Sequence, residues 1–432
     1  MCVFAQPEKA PSDFRRNSNA APTSGVPLSR DMTTSTEITV RTADEQDWRN
    51  LLLLHEVGFG TPYTSEAVDA RRELVGIDRS IIAVDDEAVV GVTMDFPMTV
   101  TVPGEVAVRA AGITGVSVAP SHRRRGILRT LYTEQHRRIR ATGAVLSVLI
   151  ASEGGIYGRF GYGPATIEST VSVDRRLGAF HPKAPDPGGV RVLRPTDARA
   201  AITAVYDRWQ RITPGAQVRP DILWDQLFAD HDIDRGGGTS LFAMLHDDGY
   251  ALYRRAGGED AMIARIQEMR TVTDDAHAAL WRALFGLDLM HGIETTLAPE
   301  DPLPQLLTDS RVVRTRSRHD RLWVRIMDVR AALEARTYRS DLDLVLQVDD
   351  GFLHAGGCFR LTARDGHATC TPTDDTPQVV ADLDVLGSLY LGAHRARTFA
   401  AAHRLWADTP ETLWAVDHAF DSNRSAQIGW PF

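Results

Sequence analysis

One opening occurs twice in this chain: a short strand of alternating residues, an aspartate, and an amphipathic helix. The first copy occupies residues 38–54 and the second residues 190–209. The second follows residues 181–189, whose prolines and glycines are typical of a linker. Two such openings, about 150 residues apart, predict two copies of one α/β unit. The alternative is that any strand leading through an aspartate into a helix begins alike.

The pattern of apolar residues divides the ordered chain into three units that each combine strands and helices. This predicts an α+β fold, with Asp44 capping the first helix. Later helices are predicted at 274–285, 384–391 and 396–406. The predicted units are 38–180, 181–320 and 321–432. Three aromatic residues near the end have helical spacing and are expected in the core: Tyr390, Trp406 and Trp414.

The first 37 residues contain four prolines and five serines and almost no apolar periodicity. A segment of this composition cannot bury enough apolar surface to fold, so we expect residues 1–37 to be a disordered extension. The other possibility is that the natural start is Met32.

Composition excludes several classes of protein. The 432 residues carry a net charge of −9, which disfavours general nucleic-acid binding and suits cationic ligands. The three cysteines form neither a disulfide framework nor a zinc pattern, so no metal is expected. No run of 18 apolar residues and no apolar leader is present, which predicts a cytoplasmic protein without a membrane span.

A basic turn with a glycine lies between a predicted strand and a predicted helix. It reads Val116-Ser-Val-Ala-Pro-Ser-His-Arg-Arg-Arg-Gly-Ile-Leu128. Such a turn leaves backbone N–H groups free at the positive end of the helix, which suits a pyrophosphate. Gly126 permits close approach, and the arginines add charge-assisted contacts. The turn predicts a phosphate-bearing cofactor; the alternative is a solvated basic run.

This turn resembles the cofactor loop of the GCN5-related N-acetyltransferases (GNAT), whose pattern is Arg/Gln-x-x-Gly-x-Gly/Ala. Arg123 and Gly126 match, whereas Leu128 replaces the final small residue. One strand downstream, residues 152–162 resemble the second motif of that family, apolar-Tyr-x-x-apolar-Gly-Phe/Tyr.

The resemblance is closer to one branch, the Eis (enhanced intracellular survival) acetyltransferases of mycobacteria and related actinobacteria. It rests on residues 118–126, 151–166, 303–309 and 384–396 and extends over the chain after residue 38. It implies tandem GNAT folds, the second degenerate, followed by a sterol-carrier-protein-like α/β domain. It also implies a homohexamer, acetyl-CoA as co-substrate, and aminoglycosides, acetylated at several positions, as acceptors linked to antibiotic resistance. Members of this family are also implicated outside the cell, so secretion by an unrecognised route stays open.

The resemblance assigns the cofactor-binding residues. Val116 and Val118 would offer strand backbone to the pantetheine arm, and the Val118 N–H would polarise the thioester carbonyl. For the valines, ordinary strand core is the alternative. The predicted cofactor-binding set is Val116, Ser117, Val118, Arg124, Arg125, Gly126, Ile127, Leu128, Arg129, Ser152 and Glu153.

Two catalytic residues follow from the same resemblance. Tyr157 occupies the position of the general acid, and its usual pKa near 10 keeps it protonated at neutral pH. Tyr162 is the local rival, at the packing position of the motif. The proton acceptor in this family is the terminal carboxylate, here on Phe432, and the apolar sequence Ile428-Gly-Trp-Pro-Phe432 independently predicts that this segment packs.

The second unit is predicted not to bind coenzyme A. Its equivalent loop, residues 270–276, has no glycine, and Asp274 and Asp275 would repel a pyrophosphate at the helix start.

Taken with the resemblance, the sequence predicts an acetyl-CoA-dependent N-acetyltransferase that acts on cationic amines by direct transfer. The alternatives are a protein lysine N-acetyltransferase and a non-catalytic module that binds coenzyme A or lipid.

Overall fold

The computed structural model describes residues 38–60, 65–258 and 261–432, and the extension expected at residues 1–37 lies outside them. The elements up to the linker are β1 Thr39–Thr42, α1 Trp48–Phe59, α2 Ser65–Val75, β2 Ser80–Asp85, β3 Ala88–Val102, β4 Val106–Val118, α3 Ile127–Ala141, β5 Leu146–Ile150, α4 Gly154–Tyr157, β6 Gly163–Pro164 and β7 Ile167–Asp174.

The elements of the second unit follow the linker. They are β8 Arg191–Leu193, α5 Arg199–Ile212, α6 Asp221–Ala229, β9 Phe242–His246, β10 Gly249–Ala256, β11 Ile263–Thr271, α7 Asp274–Phe285, β12 Gly292–Leu297, α8 Leu303–Leu306 and β13 Val313–Asp320. The helix predicted at 274–285 is confirmed.

The remaining elements form the third unit, except for its first strand. They are β14 Leu322–Ile326, α9 Val329–Ala335, β15 Leu342–Asp349, β16 Gly357–Arg364, β17 His367–Pro372, β18 Val379–Asp382, α10 Leu383–Leu389, α11 Ala396–Ala401, β19 Leu405–Ala407 and α12 Pro410–Ala419.

Within residues 38–60, 65–258 and 261–432, the strands form three sheets. The first sheet has the order β1-β2-β3-β4-β5-β14-β6, and the second has the order β8-β9-β10-β11-β12-β7-β13. The two orders correspond strand by strand, with β4 parallel to β5 and β11 parallel to β12. This correspondence confirms that one unit occurs twice. The third sheet, β17-β16-β15-β18-β19, belongs to the third unit.

Each of the first two sheets takes a strand from another part of the chain. β14 pairs antiparallel with β5, from Leu322 opposite Ile150 to Ile326 opposite Leu146. β7 pairs with β12 and β13 in the second sheet. The division into residues 38–180, 181–320 and 321–432 stays a prediction, and the sheets cross it in both directions.

The third unit packs directly on the first sheet. One continuous cluster of buried side chains joins strands β3, β4 and β5 with β14 to β18 and α9, α10 and α12. α10 approaches so closely that a Cβ at Gly163 would lie 1.8 Å from the Asp384 carbonyl oxygen. The face of the first sheet that does not carry α3 is therefore covered by α1, by the third unit and by residues 426–432.

Local sequence explains α3, the helix that follows the basic turn. Its buried residues Ile127, Leu131, Tyr132 and Ile139 recur at helical spacing, so one face is apolar and packs on the sheet. Two residues beyond the helix, Gly143 takes the left-handed conformation (φ +70°), which ends the helix as its sequence predicts.

Several local predictions are wrong. Asp44 does not cap α1, because the helix begins at Trp48 and the Asp44 carboxylate accepts from the Gln46 N–H (2.9 Å). The helix predicted at 396–406 ends at Ala401, and residues 405–407 form the edge strand β19.

Two of the three late aromatic residues are not in the core. Tyr390 is fully buried, but Trp406 and Trp414 are 54% and 52% exposed. Trp406 lies on the edge strand and Trp414 on the outer part of α12, where the Arg397 guanidinium stacks on its ring. Among the described residues, no helix combines the length and the apolar character needed to cross a bilayer.

Candidate functional site

The first sheet opens between its two parallel strands. β4 and β5 pair at three positions, Ala110 with Leu146, Ala111 with Ser147 and Gly112 with Val148. Beyond Gly112 the strands diverge, and β4 also changes register against β3 near Gly115, which has φ +64°. The result is a gap at the carboxyl end of β4, between residues 113–118 and β5.

The predicted strand residues line this gap in different ways. Val116 packs in the aromatic cluster beside α3, and the buried Ser117 hydroxyl donates to the Leu54 carbonyl of α1 (3.0 Å). The Ala119 N–H donates to Val90 of the neighbouring hairpin (2.9 Å). Because successive N–H groups of a strand point to opposite edges, the Val118 N–H points toward the gap.

The basic turn has the geometry that its sequence predicts. Arg124 (φ +65°) and Gly126 (φ +83°) both adopt the left-handed conformation, and Gly126 directly precedes α3. No side chain in the described part of the molecule caps α3, whose first backbone bond runs from the Thr130 N–H to the Gly126 carbonyl. The earlier N–H groups of the helix therefore have no acceptor within it. A Cβ at Gly126 would meet no atom of the described residues within 4 Å, which leaves room for a ligand at this point of the turn.

The side chains of the turn divide into exposed and buried groups. Ile127 is buried and Leu128 half-buried, so both serve the packing of α3, although their N–H groups lie in the first turn of the helix. Arg129 extends over the Phe352 ring of the third unit (5.3 Å to the centroid). Between residues 123 and 129, the exposed residues are Arg123, Arg124, Arg125, Gly126 and Arg129.

An acidic residue that sequence analysis missed lies against the turn. The Asp85 carboxylate at the end of β2 contacts His122 Nε2 (3.0 Å) and Arg125 Nη1 (3.2 Å). Nothing in the local sequence indicates this contact, because Asp85 lies 40 residues before Arg125 and looks like an ordinary hairpin residue. Arg125 is thus paired with a carboxylate, whereas Arg123 and Arg124 are exposed.

Tyr157 lies on the same face of the sheet as α3. Its buried ring belongs to the cluster that contains Ala111, Ile113 and Val116 of β4. Burial raises the pKa of the Tyr157 hydroxyl above its usual value, against the smaller opposing effects of the Ser152 and Tyr132 hydroxyls. The hydroxyl therefore keeps its proton at neutral pH. Ser152 and Glu153 are exposed between β5 and α4.

The rival tyrosine is part of a buried hydrogen-bond chain. The Tyr162 hydroxyl contacts His136 Nε2 (2.8 Å) and the Ser147 hydroxyl (2.6 Å). The other ring nitrogen of His136 contacts the Tyr132 carbonyl (2.7 Å), and burial lowers the pKa of His136 to about 3. A neutral His136 has one donor and one acceptor, both used here. The Tyr162 hydroxyl therefore links α3 to β5 through hydrogen bonds to His136 and Ser147.

Phe432 lies on the opposite face of the sheet. Its ring meets Phe96 edge-on, and Trp430 stacks on Phe96 with centroids 5.8 Å apart. Phe96 pairs with Gly112, and a Cβ at Gly112 would lie 2.8 Å from the Phe96 ring. Because adjacent strand residues face opposite sides, Phe432 and Tyr157 border the last paired position of β4 from the two faces.

The equivalent loop of the second unit is closed. Thr273 caps α7, its hydroxyl accepting from the Ala276 N–H (3.3 Å), and Asp274 and Asp275 fill the first turn. This helix start presents negative charge where α3 presents free N–H groups. Among the described residues, no group of three or more His, Cys, Asp or Glu side chains is arranged to hold a metal ion.

Family comparisons cover all three units. Residues 39–165 and residues 215–330 each match a family described as acetyltransferase (GNAT) domain. Residues 329–428 match the sterol carrier protein domain.

Relatives that match most of this chain are named as N-acetyltransferases. The N-acetyltransferase Eis of Mycobacterium tuberculosis is 47% identical over 406 residues, 91% of this chain and 100% of that protein. An uncharacterized N-acetyltransferase of Streptomyces avermitilis is 37% identical over 89% of this chain and 97% of that protein. The crystal structure of Eis1 from Mycobacterium abscessus superposes with a TM-score of 0.82 at 29% identity, over 91% of this chain and 100% of that chain.

Proposed function

The chain belongs to the family of the N-acetyltransferase Eis, and from that premise we propose that it transfers the acetyl group of acetyl-CoA directly to amines of cationic acceptors, aminoglycosides at several positions among them. One observation carries the proposal. Tyr157 and Phe432 border the same opening of the first sheet from its two faces, beside an uncapped helix start. This arrangement suits two substrates that enter from opposite sides.

The residues of the turn fit the charge and shape of acetyl-CoA. The first-turn N–H groups of α3 would bind the pyrophosphate, with Arg123 and Arg124 adding charge-assisted hydrogen bonds. The Val118 N–H would donate to the thioester carbonyl, where negative charge develops during transfer. Ser152 and Glu153, exposed at the next strand end, would lie beside the same substrate.

Three proton transfers accompany the reaction. The Phe432 carboxylate would accept a proton from the acceptor ammonium, which frees the nitrogen lone pair to form a bond with the acetyl carbon. As the carbon–sulfur bond breaks, Tyr157 would give its proton to the departing thiolate. The new amide nitrogen loses a second proton to solvent, and exchange with solvent moves the proton held by the Phe432 carboxyl group to the Tyr157 phenolate. The enzyme then returns to its starting state, and the products are the acetylated amine, free coenzyme A and one proton.

Two alternatives remain as outcomes of the test. A protein lysine acetyltransferase would use the same groups on a peptide acceptor. A lipid-binding module finds less support, because an apolar cavity inside the third unit, lined by side chains such as Leu344, Leu361 and Phe420, has a volume of only about 10 Å³. That volume holds about one water molecule.

Assembly as a homohexamer is part of the same proposal. The exposed indoles of Trp406 and Trp414 on the third unit offer apolar surface for contacts between copies. Light scattering on the full chain should give a mass near six times 47.6 kDa. A measured mass near 47.6 kDa, that of a monomer, would contradict the proposed homohexamer.

The deciding experiment measures release of free thiol from acetyl-CoA with a panel of aminoglycosides, polyamines and lysine peptides, followed by mass spectrometry of the products. More than one acetyl group on an aminoglycoside supports the proposal. Turnover with peptides alone would favour the protein lysine acetyltransferase. Coenzyme A binding without turnover across the panel would favour the non-catalytic module.

A further inference from the structure

Residues 427–430 are held by one segment of the second unit. The Gln427 N–H donates to the Pro214 carbonyl (2.8 Å), and the Gly429 N–H donates to Gln217 Oε1 (2.8 Å). The Trp430 indole N–H donates to the Val218 carbonyl (3.1 Å). All three partners belong to the connection between α5 and α6, so the second unit shapes the path of the chain toward Phe432.

Two arginines of the second unit complete this contact. Arg270 Nη2 donates to the carbonyls of Ile428 (3.2 Å) and Gly429 (2.9 Å), and Arg219 Nη2 donates to the Gly429 carbonyl (3.2 Å). We define the tail clamp as Gln217, Arg219, Glu268 and Arg270. It grips the backbone three residues before Phe432.

Each guanidinium of the clamp contacts both a carboxylate and an aromatic ring. Glu268 lies between the arginines, accepting from Arg219 Nη1 (3.2 Å) and lying 3.7 Å from Arg270 Nη2. Although burial alone would raise it, the two guanidinium groups hold the pKa of Glu268 below its usual value. Arg219 also stacks on Trp224 and Arg270 on Trp209, each 4.2 Å from the ring centroid.

One clamp residue, Arg270, lies at the strand end that corresponds to the end of β4 in the first unit. Arg270 and Thr271 end β11, as Ser117 and Val118 end β4, and Thr273 then caps α7. With its helix start closed, this copy has an arginine at the strand end that binds chain carbonyls.

We infer that the tail clamp positions the carboxylate of Phe432 for proton transfer, which makes Arg219, Glu268 and Arg270 positioning residues of the reaction. The inference rests on the proposed role of that carboxylate. The clamp holds residues 428–429, and the Trp430 and Phe432 rings grip Phe96 beyond them. Because the hydrogen bonds to residues 428–429 and the ring contacts of Phe432 lie on either side of Pro431, the backbone between them has little freedom to move. A displacement of about 1 Å at a reacting group can lower turnover about 100-fold.

The main test uses the full chain with Arg270→Met, Arg270→Lys and the control Arg265→Met. Arg265 lies on the same strand but pairs with Glu294, away from the tail. Arg270→Met should lower kcat about tenfold or more while the KM for acetyl-CoA stays unchanged, and Arg270→Lys should recover part of the loss. Hydrogen exchange at the Gly429 amide should accelerate in Arg270→Met alone.

A double-variant measurement separates positioning from folding. Residues appended after Phe432 should remove the benefit of the carboxylate, so Arg270→Met should cost nothing further in that background. An equal loss in both backgrounds, or an unchanged kcat with accelerated exchange, would overturn the inference. An inactive wild-type chain would instead overturn the proposed function.

Gly429 provides a second variant in case Arg270→Met fails to fold. A Cβ at this position would lie 2.4 Å from the Tyr206 hydroxyl and 2.8 Å from Gln217 Oε1, so Gly429→Ala must displace the tail. Gly258→Ala is its control, because a Cβ there meets nothing within 4 Å. Gly429→Ala should reproduce the loss in kcat, and wild-type kcat in this variant would contradict the inference.

Discussion

The ring of Phe432 meets the ring of Phe96 edge-on, with the centroids 5.4 Å apart. Phe96 is the strand partner of Gly112, the last position at which β4 pairs with β5. Phe432 therefore marks the start of the opening in the sheet, on the face opposite Tyr157. A group placed there can reach an acceptor without touching the basic turn.

Converting the Phe432 carboxylate to an amide, or appending two residues to it, should lower turnover at least about 100-fold, because no base remains to take the ammonium proton. The melting temperature should stay the same, since the contacts of Trp430 and Phe432 with Phe96 are kept. The same two residues placed at the other end of the chain are the control. A fully active amidated chain would remove the carboxylate from the mechanism.

Tyr157→Phe should lower kcat about 100-fold and leave the affinity for acetyl-CoA nearly intact, because only the transferable proton is lost. Stopped-flow thiol release and calorimetric titration measure the two quantities. Tyr162→Phe tests the rival residue; it should lower stability by roughly 1 kcal/mol, since it breaks the bonds to His136 and Ser147. Unchanged turnover in Tyr157→Phe would exclude the residue as the acid.

Gly126→Glu should weaken coenzyme A binding at least about tenfold, since it places a carboxylate at the positive end of α3. Gly126→Asn separates charge from backbone strain, because asparagine tolerates the left-handed conformation that Gly126 adopts (φ +83°). We expect the asparagine variant to bind within a few-fold of wild type. Equal losses in both variants would attribute the effect to the backbone.

Asp85→Asn should strengthen coenzyme A binding by about threefold, because it releases Arg125 and His122 and removes a negative charge beside the phosphates. The gain should shrink at 1 M salt, where charges are screened. Glu87→Gln, an exposed neighbour in the same hairpin, is the control. Weaker binding in Asp85→Asn would mean that this carboxylate orders the turn.

Asp350→Asn should lower the free energy of unfolding by about 3 kcal/mol at pH 7, because it leaves the buried Arg325 without its ion pair (Nη2 to Oδ2, 2.7 Å). The Arg325 guanidinium and two backbone N–H groups lower the pKa of Asp350 to about 2, although burial opposes them. A lowered pKa stabilises the fold above about pH 4, and this stabilisation disappears as the pH falls toward 2.

Denaturant titrations of both proteins between pH 7 and pH 3 measure that difference. The gap between wild type and Asp350→Asn should narrow as the pH falls. Asp375→Asn is the matched control, because Asp375 is exposed and its pair with Arg360 is loose (3.4 Å). A gap that does not change with pH would contradict the assignment.

Structural features that depend on residues close together in the sequence could be predicted. The basic turn, the limits of α7 and the duplicated unit depend on residue spacing along a few turns of chain, which the sequence displays directly. Asp85, Phe96 and Arg270 were not predictable as site residues, because each acts on a partner at least 37 positions away. The prediction that Trp406 lies in the core was wrong because its apolar neighbours favoured a helix. The chain instead turns at residues 402–404 and continues as an edge strand.

The antiparallel pairing of β14 with β5 means that the first sheet cannot be completed until the chain has been synthesised beyond Leu322. A ribosome completes β5 about 170 residues before it reaches Leu322, and until then the edge of β5 has no partner. An unpaired edge invites association with other chains, so this interval is the one in which the nascent protein needs protection. Any fragment that stops short of residue 326 keeps that edge exposed. The unit that is translated first is thus among the last to close.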